Sequence, residues 1–227
     1  MASCIDLKIS AALIERLNVA RVLCFGDSNT WGTVPDQAGR YGINARWPAL
    51  LNDALTDVDV IEEGQQGRTI IHNHSFEGHK SGQRYLKDCL ERDSPDLVLI
   101  LLGTNDLKER FSLSADAVAK GAAGLAEKTQ QFKRASMNKS IKVLLIAPPA
   151  VYEVGCYAKM YAGAHAKSLQ LAKYYALYAK NIGCAFFDAG SVVTPCPQEG
   201  IHWQIDQHQF LAAALVPIIR DMLGKSG

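Results

Sequence analysis

The chain is expected to fold as a single α/β domain, a parallel five-stranded sheet covered by helices on both faces. Two observations predict it: short apolar runs alternate with stretches of helical periodicity, and polar, glycine-containing segments directly follow the runs. Residues 21–25, 58–61, 97–102 and 143–147 are β-branched or leucine-rich, of strand length, and stopped by turn residues. A weaker fifth run, 184–187, precedes Asp188 and Gly190. Between them, 47–55, 83–90, 115–132, 165–181 and 207–222 carry helical spacing. Residues 1–20 read as an N-terminal extension, a short amphipathic helix packed outside, and 21–227 as the one domain. The stretches 32–42 and 71–82 are long enough to be functional loops.

Composition excludes several classes. Of the 227 residues, 48% are hydrophobic and 21% charged, which removes compositional support for disorder or fibres. Lysine and arginine number 24 against 23 aspartates and glutamates, so no global field gathers nucleic acid or an anionic membrane. Asp6, Lys8, Glu15 and Arg16 interrupt any apolar run that would make a signal peptide or a span, and the expected location is the cytoplasm. The six cysteines lack C-x-x-C spacing, and Cys24 and Cys184 lie inside apolar runs, which suggests neither a disulfide framework nor a zinc site.

A parallel sheet places its site beyond the carboxyl ends of the strands. There the sequence has Gly26-Asp27-Ser28-Asn29-Thr30, the segment 62–69, Gly103-Thr104-Asn105-Asp106 and Pro148-Pro149. Ser28 would stand exposed at the open end of the sheet, although serine and aspartate are also common helix caps. No G-x-G-x-x-G pattern or Walker lysine is present to cradle phosphates. Asn105 can donate to an oxyanion or form an Asx turn; Gly67 is either a plain loop glycine or a point where a backbone N–H approaches a ligand. In Glu199-Gly200-Ile201-His202, a neutral histidine can take a proton from serine if a carboxylate orients it, while a lone histidine here would more often be structural.

Taken in order, Gly26-Asp27-Ser28, Gly67, Gly103-Thr104-Asn105-Asp106 and acid-Gly-Ile-His resemble the four blocks of the SGNH (GDSL-like) hydrolases over residues 21–223. The arylesterase and acyltransferase branch is the most similar, through Cys24-Phe25-Gly26-Asp27-Ser28 with Thr30-Trp31-Gly32, Val60-Ile61-Glu62-Glu63-Gly64 and Phe187-Asp188-Ala189-Gly190-Ser191. The resemblance implies a flavodoxin-like three-layer fold without cofactor or metal. It also implies Ser28 as nucleophile, His202 as base, and an oxyanion hole from the Ser28 N–H, the Gly67 N–H and the Asn105 side chain. The nucleophile is not in a G-x-S-x-G elbow, unlike that of the α/β-hydrolase fold. Two positions depart from the family pattern. Glu199 stands where aspartate is usual, leaving open a Ser-His-Glu triad, a dyad leaning on a backbone carbonyl, or a weakened site. Asn29 stands where many members carry leucine, and casts no doubt on catalysis.

The implied function is a serine esterase for small acyl esters, with acyl transfer to alcohols as an extension. Carbohydrate O-deacetylation and a non-catalytic binding protein are the alternatives. A small-molecule ester is the expected partner, with neither nucleic acid nor membrane, and the family branch allows a homo-oligomer. Trp31 and Trp203 adjoin the nucleophile and base and are either substrate-pocket walls or packing residues. His72, His74 and His79 near Glu77 could chelate a metal but lack a full ligand set, so loop or subunit contacts are the better expectation. Arg68 is expected to fix a loop, Asp188 to cap a turn, and His208 to lie on the last helix.

Overall fold

The structure, a computed structural model, describes residues 19–72, 79–132 and 140–225. The expected N-terminal helix lies outside the described residues except for its last two positions. Five parallel strands form one sheet: β1 (Ala20–Gly26), β2 (Val58–Gly64), β3 (Leu97–Leu101), β4 (Lys142–Ala147) and β5 (Ala185–Asp188), in the order β2-β1-β3-β4-β5. The helices are α1 (Ser28–Trp31), α2 (Trp47–Ala54), α3 (Gly82–Asp93), α4 (Ala115–Gln131), α5 (Ala164–Ser168), α6 (Leu171–Asn181) and α7 (Ile205–Leu223).

Strand alternation makes the layers. Leu23, Phe25, Val98, Ile100, Val143 and Leu145 point to one side and pack with Leu86, Leu90, Ala119, Ala122, Leu171 and Tyr175 of α3, α4 and α6. Their neighbours Val22, Cys24, Leu97, Leu99, Leu144 and Ile146 point the other way, against Trp47 and Leu51 of α2 and Leu211, Leu215 and Ile219 of α7. Successive side chains of a strand face opposite sides, so a run apolar at every position supplies both interfaces at once. Each such leucine or isoleucine taken from water contributes roughly 1.5–3 kcal/mol.

Two segments differ from the sequence expectation. The second strand continues to Gly64, because Glu62, Glu63 and Gly64 pair with Cys24, Phe25 and Gly26 of β1. The carboxylates are held by arginines: Arg46 grips Glu62 at 2.8 and 3.1 Å, while Arg68 and Arg92 reach Glu63 at 3.2 and 2.9 Å. The helical run 165–181 is broken into α5 and α6. Ser168 Oγ donates to the His165 carbonyl at 2.7 Å and accepts the Val151 N–H at 3.0 Å, offering the backbone a local alternative to helix.

Candidate active site

The end of β1 delivers the sequence into a tight turn. Asp27 caps α1 by accepting the Asn29 N–H at 3.0 Å, and this four-residue helix ends at Gly32 in the left-handed region. Ser28 is thereby set at the open end of the sheet, but it is buried at 6% exposed rather than exposed as expected, because His202 and the surrounding loops cover it. Its Oγ lies 3.0 Å from Nε2 of His202. Burial pushes the Asp27 carboxyl up to about 6, against the lowering effect of the Asn29 N–H and of His202.

His202 is presented by the segment between β5 and α7. Its Nδ1 meets Glu199 Oε1 at 2.5 Å, and the same oxygen accepts the His202 backbone N–H at 3.2 Å. The other carboxylate oxygen accepts the N–H of Asp36, from the loop after α1, at 3.3 Å. Glu199 is 1% exposed, so its charge is answered by these donors rather than by water. The extra methylene of glutamate is accommodated, because the turn brings the carboxylate back over its own histidine. Gly200 is essential to that turn: its φ is +85°, and a Cβ there would fall 2.2 Å from the Tyr152 carbonyl oxygen. Backbone bonds from Tyr152 N–H to Gly200 (2.9 Å) and from Cys196 N–H to His202 (2.8 Å) close it.

Asn105 follows β3 and is 4% exposed. Its Nδ2 donates to the Arg68 carbonyl at 3.2 Å and lies 3.4 Å from Asp27 Oδ2; its Oδ1 accepts from the Tyr161 hydroxyl at 3.2 Å. Gly67 turns at φ +74° beside it. The loop carrying Gly67 is pinned by Arg68, whose buried guanidinium donates to the Gly26 carbonyl at 2.9 Å and to the carbonyl and carboxylate of Glu63, and lies 4.2 Å from the Phe25 ring centroid. Arg68 thus has the loop-fixing place expected of it. Behind Asn105, both Asp106 oxygens accept the Ile70 N–H at 3.1 Å, and burial pushes this carboxyl up to about 7.

A cavity of about 180 Å³ opens over these groups, lined by Ser28, Gly67, Asn105 and His202 together with Tyr157 and Met160. The expectation that Trp31 and Trp203 wall the pocket is corrected: neither lines this cavity. Trp203 is fully buried in the core between the sheet and α7, because the chain turns inward after His202, and Trp31 faces Arg40, whose guanidinium carbon is 5.2 Å from its ring centroid. His208 lies on α7 as expected, buried against Tyr41 and Trp203 at 5.4 and 5.5 Å, and burial pushes it down to about 4. Asp188 caps its turn by accepting the Gly190 N–H at 2.9 Å. Of the histidine-rich loop, His74 and Glu77 lie outside the described residues, and the His72 ring rests on Phe111 at 5.5 Å.

Sequence reasoning overlooked four residues. Asn29, dismissed as neutral, sends its side-chain N–H to the carbonyl of Ile201 at 3.2 Å, tying the residue after Ser28 to the residue before His202. Asp36 contributes only its backbone, which no motif announces. Tyr157 sets its ring edge-on to His202 at 5.6 Å, and Tyr161 reaches Asn105. Only Asn29, a polar residue in an otherwise apolar-rich position beside the serine, left a readable signal.

A serine hydroxyl bonded to an imidazole that is itself bonded to a carboxylate can become a nucleophile without a metal, and donors beside it can hold a developing oxyanion. This site, on this five-stranded sheet, defines the class: an SGNH-type hydrolase, a carboxylic ester hydrolase. Residues 24–209 match the GDSL-like lipase/acylhydrolase family, and the chain belongs to it. A carbohydrate acetylesterase family member from Sinorhizobium meliloti is 33% identical, with a TM-score of 0.86 over 90% of this chain and 99% of that one. The M. smegmatis aryl esterase is also 33% identical, with a TM-score of 0.84 over 89% and 99% of the two chains. An arylesterase of Vibrio mimicus is 36% identical over 86 residues, a match spanning 38% of each chain. No helix among the described residues is long and apolar enough to cross a membrane.

Proposed function

We propose that the protein hydrolyses short acyl esters through an acyl-enzyme on Ser28, with His202 as general base and acid and Glu199 as its orienting carboxylate. The observation that carries this reading is the chain of contacts Ser28 Oγ–His202 Nε2 at 3.0 Å and His202 Nδ1–Glu199 Oε1 at 2.5 Å, opening into a cavity that Asn105 and Gly67 also line.

In this mechanism the Ser28 oxygen bonds to the ester carbonyl carbon while its proton passes to Nε2. The carbonyl oxygen becomes an oxyanion held by the N–H groups of Ser28, Gly67 and the Asn105 side chain. Collapse breaks the bond to the alkoxy oxygen, which leaves with the proton from Nε2. Water then repeats the sequence, giving the carboxylic acid and free serine. Glu199 stabilises the imidazolium formed at each step without taking its proton. An alcohol in place of water would give transesterification.

A small cavity supports a short acyl group. The polar side chains of Thr33, Gln66 and Lys108 on its wall favour a second reading for the alcohol portion, an acetylated sugar, as named for the S. meliloti relative. We further propose that it acts in the cytoplasm; the five described cysteines, all free thiols, support that location.

The test is hydrolysis of p-nitrophenyl acetate and butyrate with no metal added. Ser28→Ala is expected to lower kcat by roughly 10⁴-fold or more. Full turnover in that variant would defeat the reading, and an inactive wild type would favour a binding protein that kept the fold.

A further inference from the structure

The oxyanion hole depends on which way one amide faces. The two ends of an asparagine side chain have nearly the same shape but opposite chemistry: a flip of Asn105 would present a lone pair where an N–H is needed. On one side its neighbours are the Arg68 carbonyl at 3.2 Å and Asp27 Oδ2 at 3.4 Å, both oxygens that draw the NH₂ group toward them. On the other side stands a single donor, the Tyr161 hydroxyl, 3.2 Å from Oδ1.

Resting on the esterase reading above, we propose that Tyr161 is a positioning residue of the oxyanion hole. Its hydroxyl donates to Asn105 Oδ1 and so holds the amide with one N–H on the Arg68 carbonyl and the other on the side of Asp27, from which it can turn to meet the oxyanion. The second N–H makes only the longer contact to Asp27, so it can turn to a developing negative charge at little cost.

Three features fit Tyr161 to this task. It is 2% exposed, so its hydroxyl is not shared with bulk water, and burial keeps the phenol protonated, a permanent donor. Its ring is fixed edge-on to Tyr157 at 6.4 Å, with the Lys108 ammonium 5.9 Å from its centroid. Tyr157 in turn meets the His202 ring, so the segment after β4 braces both the base and the oxyanion donor. Removing the hydroxyl alone would leave Oδ1 buried without a donor, a loss the amide can relieve only by moving.

The test compares the wild type, Tyr161→Phe, Asn105→Ala and the double variant on p-nitrophenyl acetate, alongside Ser28→Ala. Phenylalanine keeps the ring, and thermal melting checks that each variant is folded. Tyr161→Phe is expected to lower kcat about tenfold with KM changed less than about twofold, and Asn105→Ala roughly 10²–10³-fold. In the double variant the hydroxyl should no longer matter, so its kcat equals that of Asn105→Ala. Binding of a trifluoromethyl ketone, which forms a tetrahedral oxyanion on the serine, should weaken in Tyr161→Phe by the same factor as kcat/KM. Unchanged kcat in Tyr161→Phe, or an equal further loss on top of Asn105→Ala, would overturn the proposal. Should Ser28→Ala remain active, the esterase reading itself fails; with Ser28→Ala inactive and Tyr161→Phe equal to wild type, only the role of Tyr161 does.

Discussion

The turn that carries Ser28 and the segment that carries His202 meet across 3.0 Å, and they differ in how much they draw on distant chain. The serine turn is locally determined: Asp27 caps the helix that begins at Ser28, and the Gly32 N–H closes it onto the Ser28 carbonyl at 2.9 Å. The histidine segment is also bonded within itself, from the Gly200 N–H to the Cys196 carbonyl at 2.7 Å and from His202 to Glu199, but it adds ties to distant chain: the Asp36 N–H, the Tyr152 backbone and the Asn29 amide. The proposed base therefore leans more on neighbours in space than the proposed nucleophile does. Substitutions that disturb the base should damage catalysis without unfolding the sheet.

Removing the charge of Glu199 tests this contrast most severely. Glu199→Gln is expected to lower kcat roughly 10³–10⁴-fold with folding retained, because an amide supports the wrong imidazole tautomer. Near-normal turnover would show that His202 works as half of a dyad. Gly200→Ala should follow, at about 10²-fold in kcat: a left-handed alanine costs about 1–2 kcal/mol, and its Cβ would press on Tyr152. Esterase assay and melting curve together would show whether the turn moves or the fold absorbs the strain. Asn29→Leu removes one tether and should cost about tenfold in kcat with KM little changed. An unaltered kcat would mean that Ile201 is held adequately by the backbone alone.

The smallest effect concerns stability and lies behind Asn105. The Asp106 carboxyl is raised to about 7 in the folded protein against roughly 3.9 unfolded, so the native state holds the proton more tightly. Its contribution is fully present below pH 4 and is lost as pH rises through 7; Asp27, raised to about 6, acts in the same direction. Asp106→Asn cannot ionise. The melting temperature of the wild type relative to that variant should thus fall by a few degrees between pH 5 and pH 8, and a constant difference would refute the assignment.

The legibility of the site follows the same division. Strands and helices could be read because burial on both faces leaves uninterrupted apolar runs and burial on one face leaves helical spacing. Ser28, Asn105 and Gly67 could be placed because strand ends direct them to one edge of the sheet. Pocket walls could not. Trp203 adjoins His202 in sequence but follows a chain that turns into the core, whereas Tyr157 and Met160 arrive from a loop more than forty residues upstream of it.

By itself the sequence determined the α/β class, the order of strands and helices and the serine turn, since these depend on periodicity and on contacts within a few residues. The tertiary structure alone decided that the Asp36 N–H meets Glu199, that Asn29 tethers Ile201, and that Tyr161 faces Asn105. The physical reason is reach. Capping and amphipathic spacing act over one or two turns of chain, while the orientation of a buried amide or imidazole is set by whichever donors and acceptors the packed fold brings within about 3 Å of it.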